Sequence, residues 1–169
     1  MIYYINVYIV KSIYHQINGG PLLETYIKNL FSLKKPINRI SGDGRSLNDK
    51  NIEIKVSLGD LKGRFNFVQI RPDHDIDYYI FMCYNVHDDE LGKIYWFLCP
   101  SKQLYELLPR YGCYAHGTIQ KLGKIVMTNI YGHNYEYAIR PNPVNNTSLW
   151  NKLIELFSCD EKYITSKLS

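Results

Sequence analysis

The sequence has 169 residues, 46% hydrophobic and 21% charged, with a formal net charge of +4. A chain of this size and composition suits one soluble globular domain with a sizeable core rather than two domains. No apolar run reaches the length of a membrane span. The four cysteines, Cys83, Cys99, Cys113 and Cys159, are widely spaced with no C-x-x-C pair, which disfavours zinc and fits a reducing, cytoplasmic setting.

The opening stretch, MIYYINVYIVKSIYHQINGG, is rich in Tyr and Ile and broken by Asn6 and Lys11. It has no basic leader and no small-residue cleavage site, so it reads as a buried strand or an apolar helix rather than a signal peptide. After the Gly19-Gly20-Pro21 break, Leu22, Leu23, Tyr26, Ile27, Leu30 and Phe31 fall at helical spacing, and Lys34-Lys35-Pro36 is expected to end that helix. INRISGDG reads as a short strand entering a turn. NIEIKVSL reads as a second strand, with Ile52, Ile54 and Val56 on one face and Glu53, Lys55 and Ser57 on the other.

RFNFVQIR fits a helix or a strand equally well, and Pro72 closes it. DYYIFMCYNV and KIYWFLCP are apolar runs expected to be buried strands joined through HDDELG. SKQLYELLPRYG should be a helix with Ser101 as its N-cap. GTIQKLGKIVMTNIYGHNYEYAIRP suggests one or two more strands. NNTSLWNKLIELFS suggests an amphipathic helix capped by Thr147 or Ser148. The order of elements is mixed α and β.

Charge is concentrated early. Residues 28–64 hold nine Lys/Arg against four Asp/Glu, a local excess of +5. That suits a polyanion partner, or equally a solvated surface with a chance excess of lysine. If Asp43 ends one strand and Glu53 lies on its neighbour, a hairpin brings both carboxylates to one face, with Lys55 beside Glu53. A hard, oxygen-seeking cation such as Mg²⁺ offsets the cost of pairing two carboxylates. It also acidifies a bound water and withdraws charge from a phosphate. Acids and lysine together then suit hydrolysis of a phosphodiester.

The plain alternative is that Glu53, Lys55 and Ser57 are a solvated sheet face. Asp49 is a rival first acid, but it sits in the turn LNDKN, where Asp is expected for turn reasons. The five histidines, His15, His74, His87, His116 and His133, do not cluster. No phosphate-binding glycine loop is present, so no ATP is expected.

GDG…NIEIKVS…RFNFVQIRPDHDIDYYIFMCYNV resembles the PD-(D/E)XK nuclease superfamily, and within it type II restriction endonucleases, over residues 21–100. Its pattern of an acid, a spacer and (D/E)-x-K falls on Asp43 and Glu53-Ile54-Lys55. Gly42 stands where the family often has proline.

The resemblance implies an α/β (α+β) single domain over residues 1–169, with a central mixed β-sheet flanked by helices. Its catalytic core would span residues 21–100, and residues 101–169 would complete the sheet and add DNA contacts. It implies Mg²⁺-dependent hydrolysis of double-stranded DNA, with Mn²⁺ able to substitute, by a homodimer. Asp43, Glu53 and the Ile54 carbonyl would hold the metal and Lys55 would orient water. Glu24 on the preceding helix and Gln69 would stand at the margin. By residue type, Lys62, Arg64, Arg71, His116 and Lys121 are the expected DNA contacts. On this view Glu53 and Lys55 share an exposed face because that face is the active site. Alternatives are a homing, repair or junction-resolving nuclease of the same fold, or a non-catalytic DNA-binding protein.

Overall fold

The computed structural model describes residues 19–60, 62–85, 92–115 and 136–169. Its centre is a five-stranded sheet of order β1-β2-β4-β5-β8, formed by Gly44–Arg45, Asn51–Leu58, Tyr78–Tyr84, Ile94–Pro100 and Ser158–Cys159. β2 and β4 run parallel, in register from Ile52 opposite Tyr78 to Leu58 opposite Tyr84. The other pairs are antiparallel, so the sheet is mixed. A smaller antiparallel sheet of order β3-β7-β6 uses Phe67–Ile70, Tyr137–Ile139 and Gly112–Tyr114. The described helices are α1 (Gly19–Leu30), α2 (Ser101–Tyr111), α3 (Ser148–Phe157) and α4 (Glu161–Leu168). The protein is thus an α/β (α+β) fold with a central mixed sheet.

Each face of the central sheet buries its own core. On one face Ile52, Ile54, Ile80, Met82, Trp96 and Leu98 pack with Ile27 and Phe31 from the α1 end and Ile164 and Leu168 of α4. The Phe31 ring meets Trp96 edge-on, with ring centres 5.5 Å apart. On the other face Tyr79, Phe81, Cys83, Phe97 and Cys99 meet the small sheet together with α2 and α3. Phe67 of β3 stacks on Phe81 of β4 at 4.5 Å, fastening the small sheet to the central one. Full burial of each such side chain contributes about 1.5–3 kcal/mol. The apolar runs of β4 and β5 follow from this, because both strands are covered on both faces.

The structure corrects several local expectations. α1 ends at Leu30, before the lysines, and Ser32 turns the chain at φ 52°. Residues 37–40 form turns rather than a strand, so Asp43 precedes a two-residue strand instead of ending a longer one. RFNFVQIR resolves as β3 over Phe67–Ile70. Ser101 is not an N-cap: it lies inside α2, its backbone N–H donates to the Asp77 carbonyl at 2.9 Å, and Pro100 holds the cap position. Thr147 holds the cap position of α3 as expected, but its hydroxyl accepts the Asn151 side-chain amide at 3.4 Å rather than a backbone N–H of the helix. The 1–18 segment, HDDELG up to Leu91 and residues 116–135 lie outside the described residues.

Candidate active site

The site begins at a glycine. Gly42 has φ +74°, and a Cβ placed there would lie 2.4 Å from the Ile52 carbonyl oxygen and 2.9 Å from the Ile76 side chain. Proline, fixed near φ −65°, cannot take this conformation. A proline at position 42 is therefore excluded on local steric grounds. The close approach lets the Asp43 N–H donate to the Ile52 carbonyl at 2.8 Å. β1 then pairs Gly44 with Ile52 and Arg45 with Asn51. Continued by one residue, that register sets Asp43 opposite Glu53, as the hairpin reading expects. The Asp43 carboxylate caps the bare edge of β2: its Oδ2 accepts the Ile54 N–H at 2.7 Å.

Glu53 and Lys55 are not on an exposed face. Their side chains are only 10% and 13% accessible, and Lys55 Nζ donates to Glu53 Oε1 at 2.5 Å. Glu53 is in register with Tyr79 of β4 and Lys55 with Phe81, so the charged pair belongs to the sheet face covered by the small sheet and α2. This removes the solvated-strand alternative. Burying two charges costs several kcal/mol apiece unless they are paired, and the Glu53–Lys55 contact offsets part of that cost.

Electrostatics single out Asp43. Its carboxyl is pushed up from 3.8 to about 6, first by burial and then by the neighbouring Glu53, with Glu24 adding to the rise. The Ile54 N–H and Lys55 oppose the shift without cancelling it. Glu24 lies on α1 and is paired with Lys28, so it approaches Asp43 from the opposite layer to Glu53. Above Glu53 the hydroxyls of Tyr79 and Tyr105 meet at 3.1 Å. Burial drives Tyr79 far above its ordinary value and pushes Tyr105 up to about 12, with Glu53 reinforcing both.

The donor set fits a hard cation. Asp43 Oδ2 and Glu53 Oε1 are engaged, and among the described residues no hydrogen bond or ion pair engages Asp43 Oδ1 or Glu53 Oε2. The Ile54 carbonyl shares the strand edge of its own N–H, where Asp43 sits. No group of three or more His, Cys, Asp or Glu side chains that could hold a metal occurs among the described residues. Two carboxylate oxygens and a carbonyl leave several positions for water and phosphate oxygens, which suits Mg²⁺ and not a closed zinc cage.

Of the expected site residues, Asp43, Glu53, Ile54, Lys55 and Glu24 come together. Gln69 does not join them: it sits exposed at φ +58° in the irregular part of β3, in the other sheet, without a hydrogen bond to the group. Lys62 and Arg64 are exposed beyond Leu58, about 17 Å of strand from Glu53, and Arg64 pairs with Asp60. Arg71 is drawn to Glu136 at 2.6 Å. His116 and Lys121 lie outside the described residues. Asp49 is a 69% exposed turn residue at φ +64°, as its sequence context implies. Tyr79 and Tyr105 are the neighbours that sequence reading missed, because both occupy positions that an apolar pattern assigns to the core. Neither a protein-family model nor a curated protein matches this chain.

Proposed function

We propose that the protein is a Mg²⁺-dependent endodeoxyribonuclease of the PD-(D/E)XK type, hydrolysing phosphodiesters of double-stranded DNA in the cytoplasm. The observation that carries this reading is the buried Asp43–Glu53 pair, with Asp43 held near 6 and Lys55 fixed on Glu53. Such a pair is unfavourable as it stands and becomes favourable around a divalent cation.

Asp43 Oδ1, Glu53 Oε2 and the Ile54 carbonyl would hold the metal. Mg²⁺ bound there makes a coordinated water more acidic and draws charge from a phosphate oxygen. Lys55, already donating one N–H to Glu53, keeps further donors for the attacking water or the phosphate. Hydrolysis joins the water oxygen to phosphorus, breaks one P–O ester bond, and passes the water's proton to solvent as the leaving oxygen is protonated. Glu24 stands close enough to Asp43 to reinforce the negative field. In a homodimer, two such centres would address the two strands. Sequence-specific cutting of the restriction type is the favoured form.

The test is cleavage of supercoiled plasmid in Mg²⁺, in EDTA, and by Glu53→Gln in Mg²⁺. Discrete fragments from the wild-type protein in Mg²⁺ alone are expected. Equal cutting in EDTA or by Glu53→Gln would refute the site, and no cutting by the wild type would refute the function.

A further inference from the structure

We propose that the turn formed by residues 35–40 clamps the DNA strand beside the scissile phosphate, with Lys35 and Arg39 on phosphates and Ile37 against the deoxyribose between them. This rests on the DNA-hydrolase reading and extends it to residues outside the acid–lysine pattern.

The turn is built to protrude. All six residues are exposed, and Ile37 and Ile40 are 65% and 47% accessible. A single exposed apolar side chain is ordinary, but this one stands on a fixed support. Pro36 restricts the backbone before it. The Asn38 side chain then organises the turn, its Oδ1 accepting the Ile40 N–H and the Ser41 hydroxyl, each at 2.9 Å. The Ile40 carbonyl accepts the Asp75 N–H at 2.9 Å, and Ser41 is buried to 1%. Ile37 is therefore presented by a braced loop, which loses little freedom on binding.

Charge selects the partner. Several acids around this end of the sheet are already occupied, while Asp43 and Asp73 have no ion-pair partner among the described residues. Asp75 accepts the Asn51 amide at 3.0 Å, Asp77 accepts the Asn51 N–H at 2.9 Å and faces Lys50 at 3.5 Å, Glu24 has Lys28, and Asp49 has Lys34 and Arg45. Lys35 and Arg39 have no hydrogen-bond or ion-pair partner among the described residues. Two unengaged cations flank the apolar side chain at alternate positions and suit the alternation of phosphate and sugar along one strand. Arg39 lies four residues before Asp43, so its Cα is within about 14 Å of the carboxylate pair's backbone. The phosphates in reach are thus those within a few nucleotides of the cut.

The test measures binding of a fluorescein-labelled duplex of mixed sequence by anisotropy in EDTA, across a series of salt concentrations. Lys35→Ala/Arg39→Ala should weaken binding about tenfold and reduce the slope of log affinity against log salt by about 2, since each lost phosphate contact removes about 0.9. Ile37→Ser should weaken binding about fivefold with the slope unchanged. Lys152→Ala/Lys162→Ala makes the same change in net charge at the α3–α4 end and should leave the slope alone. If both double variants lose the same slope, or the turn variants bind as wild type, the clamp is refuted while the nuclease reading stands. If the wild type does not bind duplex at low salt, both fall.

Discussion

Among the described glycines, Gly42 meets the closest backbone approach, and Asp43 follows it directly. Any side chain at 42 must share space with the Ile52 carbonyl and adopt a positive φ. Gly42→Ala should cost about 3 kcal/mol, read as a lowered denaturant midpoint; a cost under about 1 kcal/mol would mean that the approach relaxes freely. For Asp43 the sign runs the other way. Its folded-state pKa is raised, so the folded protein binds the proton more tightly than the unfolded chain, and stability falls as pH rises from about 4 through about 6. With metal removed, Asp43→Asn keeps the acceptor for Ile54 N–H and abolishes the repulsion. It should be more stable than wild type by roughly 2 kcal/mol at pH 8 and no more stable near pH 4. Equal stability at both pH values would show that the carboxylate is not strained by its neighbours.

Among the elements, β2, β4 and β5 were legible because a two-residue period and unbroken apolar runs each have one main structural solution. β1 was not, because two residues carry no period. The alternation of NIEIKVSL identified the strand and the two faces, but it reads the same whether Glu53 and Lys55 meet water or a second layer. Only the small sheet and α2 decide that the pair is buried. Asp43, Glu53 and Lys55 were legible from their spacing. Gln69 misled because a positive φ in the β3 irregularity cannot be seen in an extended apolar stretch. The β8–α4 ending also escaped the pattern, although Asp160 caps α4 by accepting the Tyr163 N–H at 2.8 Å.

That last helix bears on the site. The Leu168 carbonyl accepts the Leu47 N–H at 2.8 Å and the Lys167 carbonyl accepts the Asn48 amide at 2.9 Å, so α4 tethers the turn of the β1–β2 hairpin. Asn48→Ala should cost about 1 kcal/mol and speed hydrogen exchange at the Leu47 amide. Unchanged exchange there would show that the hairpin holds its shape without the tether.

At the scale of the molecule, two cores on opposite faces of one sheet hold the hairpin edge between them. Glu53 comes from the face under the small sheet and Glu24 from the helical layer, and Asp43 stands at the edge where the layers meet. No helix among the described residues is long and apolar enough to cross a membrane. A cation that binds only the folded pair should stabilise the whole protein by mass action. Millimolar Mg²⁺ at pH 8 should therefore raise Tm in the wild type and leave Asp43→Asn unmoved; an equal rise in both would place the cation elsewhere.

The most direct measurement is the single-turnover rate of DNA cleavage in Mg²⁺ by the wild type, Asp43→Asn and Asp49→Asn, the two aspartates that sequence spacing offers as the first acid. Asp43→Asn should cut at least about a thousandfold more slowly, the loss expected when a group acting on the reacting centre is removed, while Asp49→Asn should match the wild type. Wild-type cutting by Asp43→Asn, or its loss in Asp49→Asn alone, would contradict the assignment of the buried carboxylate pair as the catalytic centre.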